Sequence, residues 1–213
     1  MKTYKYILLD WDGTLVRTLG IWLEACRTTV EKRGIYLTDK QISASFGAFV
    51  EYMQSWGVED ITKAMEETDD TAKLNLANAV LYPNVLEVLR YLHNLDKKLA
   101  LISSSWRKNI VPLLENHGLS EIFSVVVAGD DITHHKPHHE PLVKALGLLD
   151  SNKHEAIMIG DSDKDLGAAN NTNIDSILFY PLEHKKFYSL EKLKALNPTY
   201  IIEDFIQVET IVK

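Results

Sequence analysis

The stretch Tyr4-Lys5-Tyr6-Ile7-Leu8-Leu9-Asp10-Trp11-Asp12-Gly13-Thr14-Leu15 decides the fold class. From Tyr4 to Leu9 the side chains are apolar or aromatic apart from Lys5, and the run stops at Asp10. A short run without polar alternation is the pattern of a strand buried on both faces. Similar runs recur at residues 99–102, 124–128, 156–159 and 177–180. Helical spacing fills the intervals. Val85, Leu86, Leu89 and Leu92 share one face, with Pro83 placed to open that helix. Ile110, Leu113, Leu114 and His117 repeat the spacing, and Gly118 suits a left-handed cap. Pro112 belongs in that helix's first turn or at a kink. Pro141 opens a further helix that Gly147 closes. Strands alternating with helices predict an α/β fold: a doubly wound, Rossmann-like parallel sheet with helices on both faces.

Residues 16–82 break this rhythm. Trp22, Ala25, Cys26, Thr29 and Val30 form a helical stripe that Gly34 ends. Thr38 with Gln41 fits a capping box. Phe49, Tyr52, Met53 and Trp56 make another stripe, stopped by Gly57, and Ile61, Ala64 and Met65 begin a longer one. These stripes are core packing between helices. The expected organisation is therefore a catalytic core of residues 1–15 and 83–213, with an all-helical cap of residues 16–82 inserted after the first strand.

Composition narrows the class. The chain has 213 residues, 46% hydrophobic and 25% charged, which is ordinary for a globular protein that buries a real core. With 23 Lys and Arg against 30 Asp and Glu, the net charge is −7. No long basic run is present, so nucleic acid is not expected as a partner. No stretch reaches the ~18 apolar residues of a membrane span, so no membrane partner is expected. The N-terminal apolar run is too short for a signal peptide. Cys26 stands alone, which excludes an intrachain disulfide and fits a reducing, cytoplasmic compartment.

Parallel sheets bind ligands at the carboxyl ends of their strands. There the sequence places Asp10 and Asp12, then Ser103, Ser104 and Ser105, then Gly129-Asp130-Asp131 with Lys136 beyond, then Asp161, Ser162, Asp163 and Asp165. Gly13 lets the chain turn so that Asp10 and Asp12 share a site. Close carboxylates repel unless a cation or proton separates them. Asp161 adds a third, and Mg²⁺ satisfies such an oxygen cluster beside a phosphate. Lys136 contributes a point charge, and Ser103 a hydroxyl and a backbone N–H. These are the parts for phosphoryl transfer: nucleophile, acid/base, metal and donors to phosphoryl oxygens.

The chain resembles the haloacid dehalogenase superfamily hydrolases, in the phosphoglycolate phosphatase-like branch with a helical cap. Asp10-Trp11-Asp12-Gly13-Thr14-Leu15 is similar to the family's first motif, Leu101-Ile102-Ser103 to the second, Lys136-Pro137 to the third, and Gly160-Asp161-Ser162-Asp163-Lys164-Asp165 to the fourth. Tyr82-Pro83-Asn84-Val85 looks like the re-entry from cap to core. The resemblance spans essentially the whole chain, and the first and fourth motifs together make it specific. It implies roles. Asp10 is the nucleophile that becomes an aspartyl-phosphate. Asp12 protonates the leaving oxygen and then deprotonates the hydrolytic water. Ser103, Ser104 and Lys136 hold the phosphoryl group. Mg²⁺ is held by Asp10, Asp161 and the backbone carbonyl of Asp12, with Asp165 orienting that set from behind. Gly47 and Phe49, between cap helices, shape the substrate pocket, and Arg17 meets substrate from the hinge. Where many relatives carry Asn after the second-motif hydroxyl, this chain has Ser104, a shorter donor.

The expected activity is that of a Mg²⁺-dependent phosphatase, monomer or homodimer, acting on a small phosphate ester such as phosphoglycolate or a sugar phosphate. An acid at Asp12 separates phosphatases and phosphomutases from the superfamily's dehalogenases and phosphonatases. A β-phosphoglucomutase-like phosphomutase shares the aspartyl-phosphate and remains an alternative. A receiver-type signalling domain also uses acids, a hydroxyl and a lysine around Mg²⁺, but its acceptor ends a later strand and it has no helical insert. His134, His135, His138 and His139 flank Lys136 at a spacing that matches no closed zinc set, and they read as a polar loop beside the site.

Overall fold

A computed structural model describes residues 2–213. Its frame is one six-stranded sheet: β1 (Tyr6–Leu9), β2 (Lys98–Ile102), β3 (Val125–Val127), β4 (Ala156–Gly160), β5 (Asp175–Phe179) and β6 (Tyr200–Ile202). The strands lie in the order β3-β2-β1-β4-β5-β6 and all neighbours are parallel. β1 is central, with Leu9 opposite both Leu101 and Ile159. Strand side chains alternate between faces, so the sheet has two apolar sides. Ile7, Leu9, Leu101, Ile159 and Phe179 face one core cluster, and Leu8, Ala100, Ile102 and Met158 the other.

Helices cover both sides. α1 (Leu19–Glu31), α2 (Asp39–Ser43), α3 (Phe49–Ser55) and α4 (Ile61–Leu76) lie between β1 and α5 (Val85–Asn94) and contribute no strand to the sheet. α6 (Arg107–Asn116), α7 (Glu140–Leu148), α8 (Asp163–Thr172), α9 (Leu190–Lys194) and α10 (Val208–Ile211) complete the helices. Val88, Leu89 and Leu92 of α5, Ile110 and Leu114 of α6 and Val208 of α10 pack on the first side. Leu142 and Ala145 of α7, with Ala168 and Ala169 of α8, pack on the second. Each fully buried Leu stabilises the fold by about 1.5–3 kcal/mol. The chain leaves and re-enters the core side by side: Arg17 N donates to Val80 O at 2.9 Å, and Tyr82 N donates to Leu15 O at 2.9 Å. No helix among the described residues is long and apolar enough to cross a membrane.

Several local expectations stand in the structure. Thr38 and Gln41 form the capping box of α2, and Gly34, Gly57 and Gly118 have positive φ just beyond their helices. Others are corrected. Gly147 does not close α7; the helix runs through it to Leu148, and the left-handed turn falls at Asp150, φ 47°. Pro83 stands two residues before α5, ahead of Asn84 at φ 65°. Of the two places expected for Pro112, the first turn of α6 is excluded, because the residue lies in the helix interior. The sixth strand was not expected, because its three residues carry too short a signal.

Candidate active site

β1, β2 and β4 end side by side, and the next residues are Asp10, Ser103 and Asp161. The ladder holds them in register: Asp10 N donates to Ile159 O at 2.9 Å, and Ser103 N to Val127 O at 3.0 Å. Past Asp10 the chain folds back on itself, with Leu15 N and Val16 N both donating to Trp11 O at 3.0 and 3.1 Å. Gly13 makes this possible in two ways. Its φ is +83°, and a Cβ there would stand 2.4 Å from Asp161 Oδ2. The turn delivers Thr14 Oγ1 to 3.0 Å from Asp10 Oδ2 and 3.4 Å from Asp161 Oδ1.

Lys136 arrives from the loop between β3 and α7. Its Nζ donates to Asp10 Oδ1 at 2.5 Å, Asp165 Oδ1 at 2.6 Å and Ile102 O at 3.1 Å, and it is 5% exposed. Asp165 has no oxygen left over: Ser162 N and Oγ donate to its Oδ2 at 3.1 and 2.6 Å. It braces Lys136 and the head of α8. Gly160 permits this, since a Cβ there would lie 2.3 Å from Asp165 Cβ.

Asp10, Asp161 and Asp165 offer carboxylate oxygens within 4.8 Å of one another, all buried. One ammonium balances three acids. Burial, reinforced by the charge of Asp165 and opposed by Lys136, pushes Asp10 up to about 7. Burial, then the charges of Asp10 and Asp165, holds the Asp161 carboxyl well above its ordinary range. Burial would strip the proton from Lys136, but Asp10 and Asp165 outweigh it and keep the ammonium charged. Asp161 Oδ2 is buried without a hydrogen-bond partner among the described residues. An orphaned carboxylate oxygen beside two further acids fits a hard divalent cation. His184 Nδ1, equally unpartnered, sits 3.9 Å from the same oxygen, and its Nε2 pairs with Tyr82 Oη at 2.9 Å. Burial lowers the His184 pKa to about 3, so the ring is neutral.

The Asp12 carboxylate stands outside the cluster. Its Oδ1 accepts from Trp22 Nε1 at 2.8 Å and its Oδ2 from Ser105 Oγ at 2.7 Å. Ser103 is buried and its Oγ accepts from Ser105 N at 3.0 Å, while Ser104 reaches the cavity wall. That cavity, about 770 Å³, joins the two parts of the chain: Asp10, Asp12, Lys136 and Asp161 line it from the core, and Gly47 and Phe49 from the insert. Arg17 is not among the lining residues; it pairs with Glu183 at 2.6 Å. Beside the site, Glu140 accepts from Thr133 N at 2.7 Å and from His134 N and Nδ1 at 3.0 and 2.7 Å, which ties the histidine loop to the start of α7.

Sequence reasoning assigned no role to Thr14, Trp22, Ser105 or His184. Trp22 reads as one member of an apolar stripe, and its indole donor becomes meaningful only when helix α1 is placed over Asp12. His184 carries no local signal at all.

Comparison with known proteins is consistent over nearly the whole chain. A family model described as haloacid dehalogenase-like hydrolase matches residues 7–179. Pyrophosphatase PpaX of Bacillus cereus is 33% identical, over 92% of this chain and 91% of that protein. Phosphoglycolate phosphatase of Nitrosococcus oceani is 26% identical, over 99% of this chain and 97% of that protein. The structure of CbbY from Rhodobacter sphaeroides in complex with phosphate superposes with a TM-score of 0.81 at 19% identity, covering 97% of this chain and 96% of that one.

Proposed function

The chain belongs to the haloacid dehalogenase-like hydrolases, and from that premise we propose a Mg²⁺-dependent phosphatase that hydrolyses a small phosphorylated metabolite through an aspartyl-phosphate on Asp10. The observation that carries the reading is the Asp10 carboxylate held 2.5 Å from Lys136, beside the orphaned oxygen of Asp161, at the floor of a cavity large enough for a metabolite.

Asp10 attacks phosphorus as the bond to the leaving oxygen breaks. Asp12 gives its proton to that oxygen, and the Trp22 and Ser105 donors hold its carboxyl in place for the transfer. Asp12 then takes a proton from water, whose oxygen attacks phosphorus, releases inorganic phosphate and regenerates Asp10. Lys136 offsets the phosphoryl charge, and Ser103 and Ser104 supply donors to its oxygens. Asp10, Asp161 and the backbone carbonyl of Asp12 would hold Mg²⁺, which when bound supplies positive charge to the phosphoryl oxygens and lets the acids ionise together.

Residues 16–82 act as a cap on the core of residues 1–15 and 83–213, hinged where the strands of chain at Val16 and Leu81 pair. Closure excludes water and strengthens every charge interaction at the floor. The single cysteine, Cys26, suits a cytoplasmic setting. Phosphate release across a panel of phosphate esters, with and without Mg²⁺, tests the proposal. Release that depends on Mg²⁺ and disappears in Asp10→Asn is the expected result; release that persists in Asp10→Asn or in chelator rejects it.

A further inference from the structure

We propose that the substrate's leaving group is uncharged and carries a flat ring, so that neither pyrophosphate nor phosphoglycolate is the preferred substrate; this rests on the phosphatase reading above. The relatives' names point the other way, and the charge and shape of this chain's cavity wall carry the argument.

Charge comes first. Pyrophosphate and phosphoglycolate both place a second anion beyond the reacting phosphorus. Among the described residues, the insert lines the cavity with Glu51, Glu66 and Asp69 and with no lysine or arginine. Its arginines are engaged elsewhere: Arg27 with Asp39, Arg33 with Asp60 and Glu67, and Arg17 with Glu183. Besides Lys136, held by Asp10 and Asp165, the core side contributes Lys108 and Lys164, and each already faces a carboxylate. Lys108 Nζ lies 3.1 Å from Asp69, and Lys164 Nζ 3.1 Å from Asp163. On the insert side, Glu51 and Glu66 are left without an ion-pair partner among the described residues. A second anion on the leaving group meets a negative wall, which disfavours its binding.

Shape agrees. Trp22, Phe46, Phe49 and Met65 line the insert side. From the core side Trp106 joins them, 56% exposed although it is among the largest apolar side chains of the protein. Aromatic side chains lining a cavity offer apolar surface against which a planar group can pack. A two-carbon acid or a second phosphate would leave most of about 770 Å³ unfilled and would bury little of this apolar wall. A nucleoside 5′-monophosphate has the required chemistry: one phosphate, an uncharged sugar and a flat, uncharged base.

The test compares kcat/KM of the Mg²⁺-loaded enzyme for thymidine 5′-monophosphate, phosphoglycolate, pyrophosphate and phosphoethanolamine, with 4-nitrophenyl phosphate as the control for phosphatase chemistry. Thymidine 5′-monophosphate should exceed phosphoglycolate and pyrophosphate by about tenfold or more, although pyrophosphate carries the better leaving group. Phe49→Ala should lower the ratio of thymidine 5′-monophosphate to phosphoglycolate several-fold. Calorimetry on Asp10→Asn should rank the ligands in the same order without turnover. Equal or better use of phosphoglycolate, pyrophosphate or phosphoethanolamine overturns the inference while the phosphatase reading stands. Absence of hydrolysis for all five, the aryl phosphate included, overturns the phosphatase reading and the inference together.

Discussion

Asp12, two residues past Asp10 at the end of the central strand β1, and Trp22, in the first helix of the insert, are joined by a hydrogen bond of 2.8 Å from indole Nε1 to carboxylate Oδ1. The proposed acid/base is thus held from the inserted helices by Trp22 and from the core side by Ser105. Trp22→Phe keeps most of the ring and removes the donor. A lost hydrogen bond to a charged group is worth about 1.5–3 kcal/mol. The expected outcome is a fall in kcat of about tenfold or more, with the fold intact by circular dichroism. An unchanged kcat would show that Asp12 needs no help from the insert.

Among the described residues, Lys136 is the one ammonium inside the acidic cluster, and it carries hydrogen bonds to Asp10 and Asp165. Removing one partner of a buried ion pair costs about 3–5 kcal/mol, because the remaining charge is left uncompensated. Lys136→Met should therefore lower stability in urea by that order when Mg²⁺ is absent, and added Mg²⁺ should recover part of the loss. Full stability without the ion would mean that the cluster is not a charge problem at all.

Gly13 is required twice over, by its φ of +83° and by the 2.4 Å that a Cβ would leave to Asp161 Oδ2. Gly13→Ala should lower stability by about 1–3 kcal/mol and weaken Mg²⁺ binding measured by calorimetry. Wild-type Mg²⁺ affinity in this variant would place the ion away from Asp161.

Asp131 reports on pH. Burial alone would raise its carboxyl, but Ala128 N–H and the Arg107 guanidinium outweigh burial and hold it below the usual aspartate range. The folded pKa lies below the unfolded value of 3.8, so its contribution is complete above about pH 4 and is lost as pH falls through the lower folded value. Asp131→Asn should cost about 1 kcal/mol at pH 7, and the gap between variant and wild type should close as the pH falls below the unfolded value and through the lower folded one. A gap that stays constant down to pH 2 would mean that charge is not what Asp131 contributes.

Much of this architecture is legible in the chain because periodicity and strand-end chemistry are local. The run to Leu9, the glycines past α1, α3 and α6, and the Thr38–Gln41 box each announce themselves within a few residues. What escaped depends on contacts distant in sequence. β6 is three residues at the sheet edge, and its place is set by pairing with β5. Gly147 looks like a helix stop, yet Gly is tolerated inside α7 because the surrounding apolar face is packed on the sheet. In the site, Asp10, Asp161, Asp165 and Lys136 are readable as strand-end or near-strand residues on one edge. The Asp12–Trp22 bond and the His184–Asp161 approach span the insert and the C-terminal segment, and no spacing encodes them. Arg17 illustrates the reverse: its position after the first motif suggests substrate contact, but Glu183 takes its guanidinium.

Covalent capture of phosphorus by Asp10 can be read directly. Turnover is quenched in acid during steady state with 4-nitrophenyl phosphate and Mg²⁺, and the peptide containing Asp10 is analysed by mass spectrometry. The account predicts a phosphoryl adduct on Asp10 that vanishes in chelator and in Asp10→Asn, together with loss of turnover. Normal turnover by Asp10→Asn, or an adduct on another residue, would contradict it.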